Sequence, residues 1–174
     1  MDATTGTGAK RWRRWLWVAA AGVVGVAVFV LYWFQPQKLF IDDRVDEAIP
    51  VGAAPAAASS EAAELARGTF ASLEHRTVGA VRVLKLADGS RIVRLEDFDT
   101  SNGPDLYLYL STNPANGVEQ AFDDDYVSLG RLKGNAGDQN YTLPADADLG
   151  HFESVVIWCD RFNAAFGAAD LTAA

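Results

Sequence analysis

Trp15 to Phe34 is a run of 20 residues without one charged or strongly polar side chain, and no other feature limits so strongly what the chain can fold into. At 1.5 Å per residue, a helix of that length spans about 30 Å, the thickness of a bilayer's hydrocarbon core. Trp12, Trp15 and Trp17 stand at one end and Tyr32 and Trp33 at the other, where amphipathic rings favour the headgroup level. The run therefore predicts a transmembrane helix over residues 15–34 with the lipid bilayer as its partner. Lys10, Arg11, Arg13 and Arg14 precede it, so the positive-inside rule keeps a basic tail of residues 1–14 in the cytoplasm and sends the rest outside. The expected product is a single-pass cell membrane protein with an extracytoplasmic C-terminal domain. A cleaved signal peptide shares the basic start, but the apolar run is too long for one, and the next small-residue candidates are Ala53 to Ala58. Arg13-Arg14 resembles a twin-arginine signal, yet the flanking Trp residues fit that pattern poorly.

The whole chain carries 15 Lys and Arg against 23 Asp and Glu. Setting aside the four basic residues before the helix and Asp2 leaves 11 cations and 22 anions, a charge of −11 on the outer portion. Nucleic-acid binding needs a basic footprint and is excluded as a function class. From Ala48 to Ala66 the composition shifts to Ala, Pro, Gly, Ser and Glu, and residues 35–67 read as a tether. Within it, Ser59-Ser60-Glu61 before Ala62 to Arg67 carries the N-cap signal of a short helix.

After Gly68 the apolar pattern takes a period near two, in short runs punctuated by Gly, Pro, Asn and Asp. Strands are predicted at Gly68 to Glu74, Ala80 to Leu86, Arg91 to Leu95, Leu106 to Ser111, Tyr126 to Leu129, Tyr141 to Leu143, Val155 to Cys159 and Ala164 to Phe166. Asp88-Gly89 suits a two-residue hairpin turn, since a type I′ turn needs positive φ twice. No amphipathic run of helical length follows Arg67, so residues 68–169 are expected to form an all-β sandwich or barrel-like domain, with 170–174 as a C-terminal tail.

An ordered series of small motifs crosses this domain. It comprises Gly68-Thr69-Phe70 with His75, Thr77 and Gly79, then Leu95-Glu96-Asp97-Phe98, Gly103-Pro104-Asp105-Leu106, Leu129-Gly130 and Leu132-Lys133-Gly134. Gln139-Asn140-Tyr141, Pro144, Trp158-Cys159 with Phe162, and Phe166-Gly167 complete it. The series resembles the DM13 domain family over roughly Gly68 to Ala169. The resemblance implies an extracytoplasmic β-domain acting in electron transfer through one cysteine, either as a free redox thiol or as a ligand to a prosthetic group such as haem. That cysteine falls on Cys159, and the family's histidine position falls on His75.

The residues themselves leave the role of Cys159 open. It is the only cysteine, so intramolecular disulfides, zinc cages and iron–sulfur cages are excluded. An unpaired thiol facing an oxidising exterior needs either burial or a use. The strand period places Cys159 on the face of Val155 and Ile157, the expected core face, where it packs as a small inert hydrophobe. If His75 reached Cys159, the pair could hold a thiolate near neutral pH. Cys159, His75 and His151 are the axial-ligand candidates for haem outside the membrane, and no CxxCH attachment motif occurs. His151 alone reads as a surface histidine. The acidic groups Asp123-Asp124-Asp125 and Asp146-x-Asp148 lack EF-hand spacing and read as solvated loops. Tyr107 and Tyr109 share a strand face opposite Leu106, Leu108 and Leu110, where they serve as a binding surface or as cover for the second face. The function that follows is an anchored electron-transfer or thiol-redox module with an extracytoplasmic redox or protein partner. The alternative is a surface binding module in which Cys159 only packs.

Overall fold

The computed structural model of the chain describes residues 7–36, 41–50 and 62–174. The first unit is helix α1 (Thr7–Trp33). Its segment Trp12–Trp33 has a mean hydropathy of 2.2, and the helix is long and apolar enough to cross a membrane.

The second unit is a sandwich of two antiparallel five-stranded sheets, as expected of the β pattern. Its strands are β1 (Ala63–Thr69), β2 (Ala71–Ser72), β3 (Thr77–Lys85), β4 (Arg91–Thr100), β5 (Leu106–Ser111), β6 (Tyr126–Arg131), β7 (Ala136–Leu143), β8 (Ser154–Cys159), β9 (Ala164–Asp170) and β10 (Thr172–Ala173). One sheet has the order β10-β1-β3-β4-β7 and the other β2-β9-β8-β5-β6. Alternate side chains of both sheets meet between them. Val81, Val83, Val93, Leu95 and Phe98 come from the first, and Leu106, Leu108, Leu110, Val155, Ile157, Cys159 and Phe166 from the second. The opposite face of the second sheet carries its own buried cluster of Tyr109, Val156, Trp158, Ala165 and Ala168. Ala115 and Phe122, from the loop between β5 and β6, close over it.

Several elements differ from the sequence expectation for physical reasons. The strand expected at Gly68 to Glu74 is two strands in different sheets, with buried Phe70 at the crossing. Of the expected capped helix, Ser59 to Glu61 lie outside the described residues, and Ala63 onward is β1. There the ladder to β3 and the Arg82–Glu64 ion pair outweigh an Ala-rich segment's weak helix preference. The expected tail holds β10, which pairs Thr172 with Arg67 and Ala173 with Ala66. Strand β4 runs past Leu95 because a bulge absorbs Glu96 and Asp97, Asp97 taking φ 48°. Opposite it Gly79 has φ +115°, and any Cβ there would lie 2.8 Å from the Glu96 carbonyl oxygen. The bulge turns Phe98 into the core, where it packs on Phe70 at 5.4 Å between centroids.

Residues Asp42 to Ala48, part of the expected tether, form a strap along the free edge of β7. Arg44 bridges Ala136 in parallel. The Val45 and Glu47 amides donate to the Ala136 and Asp138 carbonyls at 2.9 and 2.8 Å, and Lys133 Nζ meets both Glu47 carboxylate oxygens at 2.8 Å. The strap covers an edge whose unpaired amides would otherwise invite another strand.

Candidate functional site

Cys159 ends β8, paired with Leu106 of β5 on one side and Ala164 of β9 on the other. It has no exposed surface and no disulfide partner. The turn Asp160 to Asn163 folds directly over it, held by the Asp160 amide on the Asp105 carbonyl at 3.0 Å and by the Phe162 amide on the Cys159 carbonyl at 3.2 Å. Asn163 takes φ 51°, which lets the turn close tightly into β9. The backbone amides of Phe162, Arg161 and Asp105 are the nearby groups that favour the thiolate. Burial pushes the thiol's pKa up, the three amides pull it down, the Asp105 carboxylate adds a smaller upward push, and the balance lies above the ordinary value. The resting group is a neutral thiol in a polar cradle. Asp105 itself faces Arg131, with Oδ1 2.6 Å from Nη2 in an ion pair whose angles make no hydrogen bond.

Phe166 of β9 is buried in the same core cluster as Cys159. It is the extra residue of a bulge, since Ile157 pairs with Gly167 and Trp158 with Ala165. The Phe166 carbonyl, freed from the ladder, accepts from the Leu73 amide at 3.1 Å, the His75 amide at 3.3 Å and Thr77 Oγ1 at 3.1 Å. That clamp fixes the loop that bears His75. Its ring stacks on Phe166 at 3.8 Å between centroids. His75 thus packs on a phenylalanine of the core cluster that also holds Cys159, and the groups acting most strongly on the thiol do not include the imidazole. Thr77 also bonds Thr100 Oγ1 at 2.8 Å, and Gly167 leaves room for it, because a Cβ there would lie 2.5 Å from Thr77 Cβ.

The Electron transfer DM13 family matches residues 69–171, well over half the chain. The chain belongs to that family. No curated protein and no solved structure matches it. Within the DM13 domain, the motif residues Thr77, Gly79 and Gly167 are explained by the Phe166 clamp and the β4 bulge, while Asp105 and Phe162 belong to the sulfur cradle. Sequence reasoning set Cys159 on the core face beside Val155 and Ile157, as the structure has it. It passed over the backbone of Asp105, Arg161 and Phe162, although two of those residues stood in the motifs. An amide has no side-chain signature, and only the turn brings it to the sulfur.

Haem does not fit this site. An axial sulfur needs an open side some ångströms wide for the macrocycle, and Cys159 is sealed by two strands and a turn. His151 lies elsewhere, with Nε2 3.1 Å from Asp125 Oδ2 at an exposed pair. Among the described residues no group of three or more His, Cys, Asp or Glu could hold a metal ion. The acidic run supplies one more contact, the Asp125 carbonyl accepting from the Thr112 amide at 3.2 Å.

Proposed function

We propose that this chain is a membrane-anchored electron-transfer module of the extracytoplasmic side, with the Cys159 thiol as the group that changes redox state. The observation that carries the reading is the unpaired Cys159 itself, closed at the end of β8 by the turn Asp160 to Asn163 inside the matched electron-transfer domain. With the turn closed, burial outweighs the amides of Phe162, Arg161 and Asp105 and keeps the thiol protonated and protected, so its reactivity depends on opening. The turn Asp160 to Asn163 is the cover, and lifting it breaks the Asp160–Asp105 and Phe162–Cys159 backbone bonds while the β8 pairing to Leu106 and Ala164 can remain. When it opens, the thiol loses its proton to water and the thiolate attacks a small disulfide. One sulfur of the reagent joins Cys159 and the other leaves as a thiolate; a second thiol then reverses the exchange. His75 enters as a positioning residue through its ring contact with Phe166, a member of the core cluster that holds Cys159. Orientation follows from Lys10, Arg11, Arg13 and Arg14, which retain the N-terminus inside.

The complete burial of Cys159 favours a second reading, a surface binding module in which the cysteine is packing. One experiment separates them. The full chain in mild detergent is incubated with an aromatic disulfide, with and without denaturant, and the adduct is read by intact mass. The redox reading expects a native-state adduct on Cys159 whose rate levels off at high reagent, set by turn opening. An adduct that forms only on global unfolding overturns it and leaves the packing reading.

A further inference from the structure

Three redox-capable side chains lead from the sheet interior to the surface on the face of β5, β6 and β8 away from Cys159. Trp158 is 1% exposed. Tyr109 is 4% exposed and lies 6.3 Å from Trp158 between centroids, at an interplanar angle of 26°. Tyr126 stacks on Tyr109 at 4.2 Å and is 40% exposed. The Tyr126 side chain is also one of the groups that push the Tyr109 phenol up. Packing alone would be met by Phe or Leu at these positions; indole and phenol are the side chains that release one electron most readily, and a buried phenol does so only when its proton has somewhere to go.

We propose that Trp158, Tyr109 and Tyr126 form a one-electron relay that conducts oxidising equivalents from the interior to the surface at Tyr126. The proposal rests on the electron-transfer reading of the family, though not on the role of Cys159. A one-electron oxidant, by class a high-valent iron species or an oxidising radical, takes one electron from Trp158 and leaves its radical cation. Tyr109 returns an electron to Trp158, and its hydroxyl proton passes to the neighbouring Tyr126, which releases a proton to water. Tyr109 is then a neutral phenoxyl radical and Trp158 is restored. A hydrogen atom next moves from the Tyr126 hydroxyl to Tyr109, so the phenoxyl radical now sits on Tyr126. There a one-electron reductant of the ascorbate class donates a hydrogen atom and is itself left as a radical. Close stacking on an exposed phenol is what opens this route for Tyr109, whose burial holds its own phenol protonated well above the ordinary range.

The test uses the full chain in detergent with Trp12, Trp15, Trp17, Trp33 and Tyr32 all replaced by Phe, which leaves Trp158 as the sole tryptophan. A laser flash photoionises Trp158 in place, and the ejected electron is removed by a scavenger. The expected result is decay of the tryptophanyl absorbance with a matching rise of tyrosyl absorbance, at a rate independent of protein concentration. Tyr109→Phe, which keeps the ring and its packing, should abolish the rise. Tyr126→Phe, which removes the acceptor of the Tyr109 proton, should abolish the tyrosyl rise as well, and with it the rapid quenching by added ascorbate. Tyr141→Phe, in the other sheet, and Cys159→Ala should leave it unchanged. An unaltered tyrosyl rise in Tyr109→Phe, or none in the parent with native circular dichroism, overturns the relay. Failure of the thiol reading would show in the disulfide experiment alone.

Discussion

Replacing Cys159 by Ser and by Ala yields opposite stability orders according to what surrounds the sulfur. In a purely apolar site Ser is the worse substitute, since an unpaired buried hydroxyl costs about 1 to 3 kcal/mol, while Ala loses only the packing of one heavy atom, on the order of 1 kcal/mol. The cradle reverses this order. The hydroxyl introduced by Cys159→Ser accepts from the amides that now face sulfur, which brings its penalty below about 1 kcal/mol. Ala removes the acceptor. The Phe162 amide keeps the Cys159 backbone carbonyl at 3.2 Å, but the Asp105 amide is left without the sulfur, adding about 1 to 3 kcal/mol to the cavity. Cys159→Ser should therefore be the more stable by about 2 kcal/mol, which displaces a urea midpoint by roughly 1 M at the slope of a small domain. Unfolding of the full chain in mild detergent, followed by near-ultraviolet circular dichroism, reads this shift. A Cys159→Ala protein as stable as Cys159→Ser, or more so, would refute the cradle and with it the physical basis of the thiol reading.

Gly134→Ala tests the strap without backbone strain, because its Cβ would lie 2.2 Å from the Asp43 carbonyl oxygen; residues 42–48 should lose amide-exchange protection while the sandwich core keeps it, and unchanged protection of the strap would contradict the fit. Burial pushes the Glu47 carboxyl up, but the Lys133 ammonium, the Asn140 amide and the Arg94 charge outweigh it and hold it below the ordinary glutamate value. Docking of the strap should then be at full strength above about pH 4.5 and weaken as pH falls through that lowered value; Glu47→Gln should remove the acid dependence, and an acid response identical to the parent's would reject it. Protease on intact cells should cut between Pro50 and Ala62, where the sequence is rich in Ala and Pro, yet the nicked domain should stay on the membrane until mild denaturant frees it from the strap, so immediate release into the medium would count against the strap.

The sandwich was legible because its core obeys a period of two. Val155, Ile157 and Cys159 face one way and Val156 and Trp158 the other, as the sequence pattern implies. Tyr107 and Tyr109 were read as cover or as a binding face, and Tyr109 is cover, buried with Trp158 beneath the β5–β6 loop. What stayed illegible depends on partners distant in sequence. The bulges at Glu96-Asp97 and at Phe166 look like ordinary strand, and each is forced by tertiary demand, one to bury Phe98 and the other to present a carbonyl to Thr77. A loop histidine and a strand cysteine can look like a pair on paper. The fold instead places Phe166 against the His75 ring and three amides against the sulfur.

The strap changes what the domain is. The family match begins at residue 69, yet positions inside it are shaped for residues before it. A Cβ on Gly137, whose φ is +92°, would lie 2.2 Å from the Val45 carbonyl oxygen, and Asn135 Oδ1 accepts the Asp43 amide at 2.7 Å. Arg94, 6% exposed, spends one bond on the Glu47 carbonyl at 2.9 Å and others on Glu96 and Asp138. A buried guanidinium with a missing acceptor is costly, so the matched domain without residues 42–48 would keep an orphaned donor and an open β7 edge. Residues 42–48, which precede the matched domain, are thus part of the folded unit. A soluble form of the domain should start at or before Asp42, because one cut at the family boundary exposes the same edge that the strap protects.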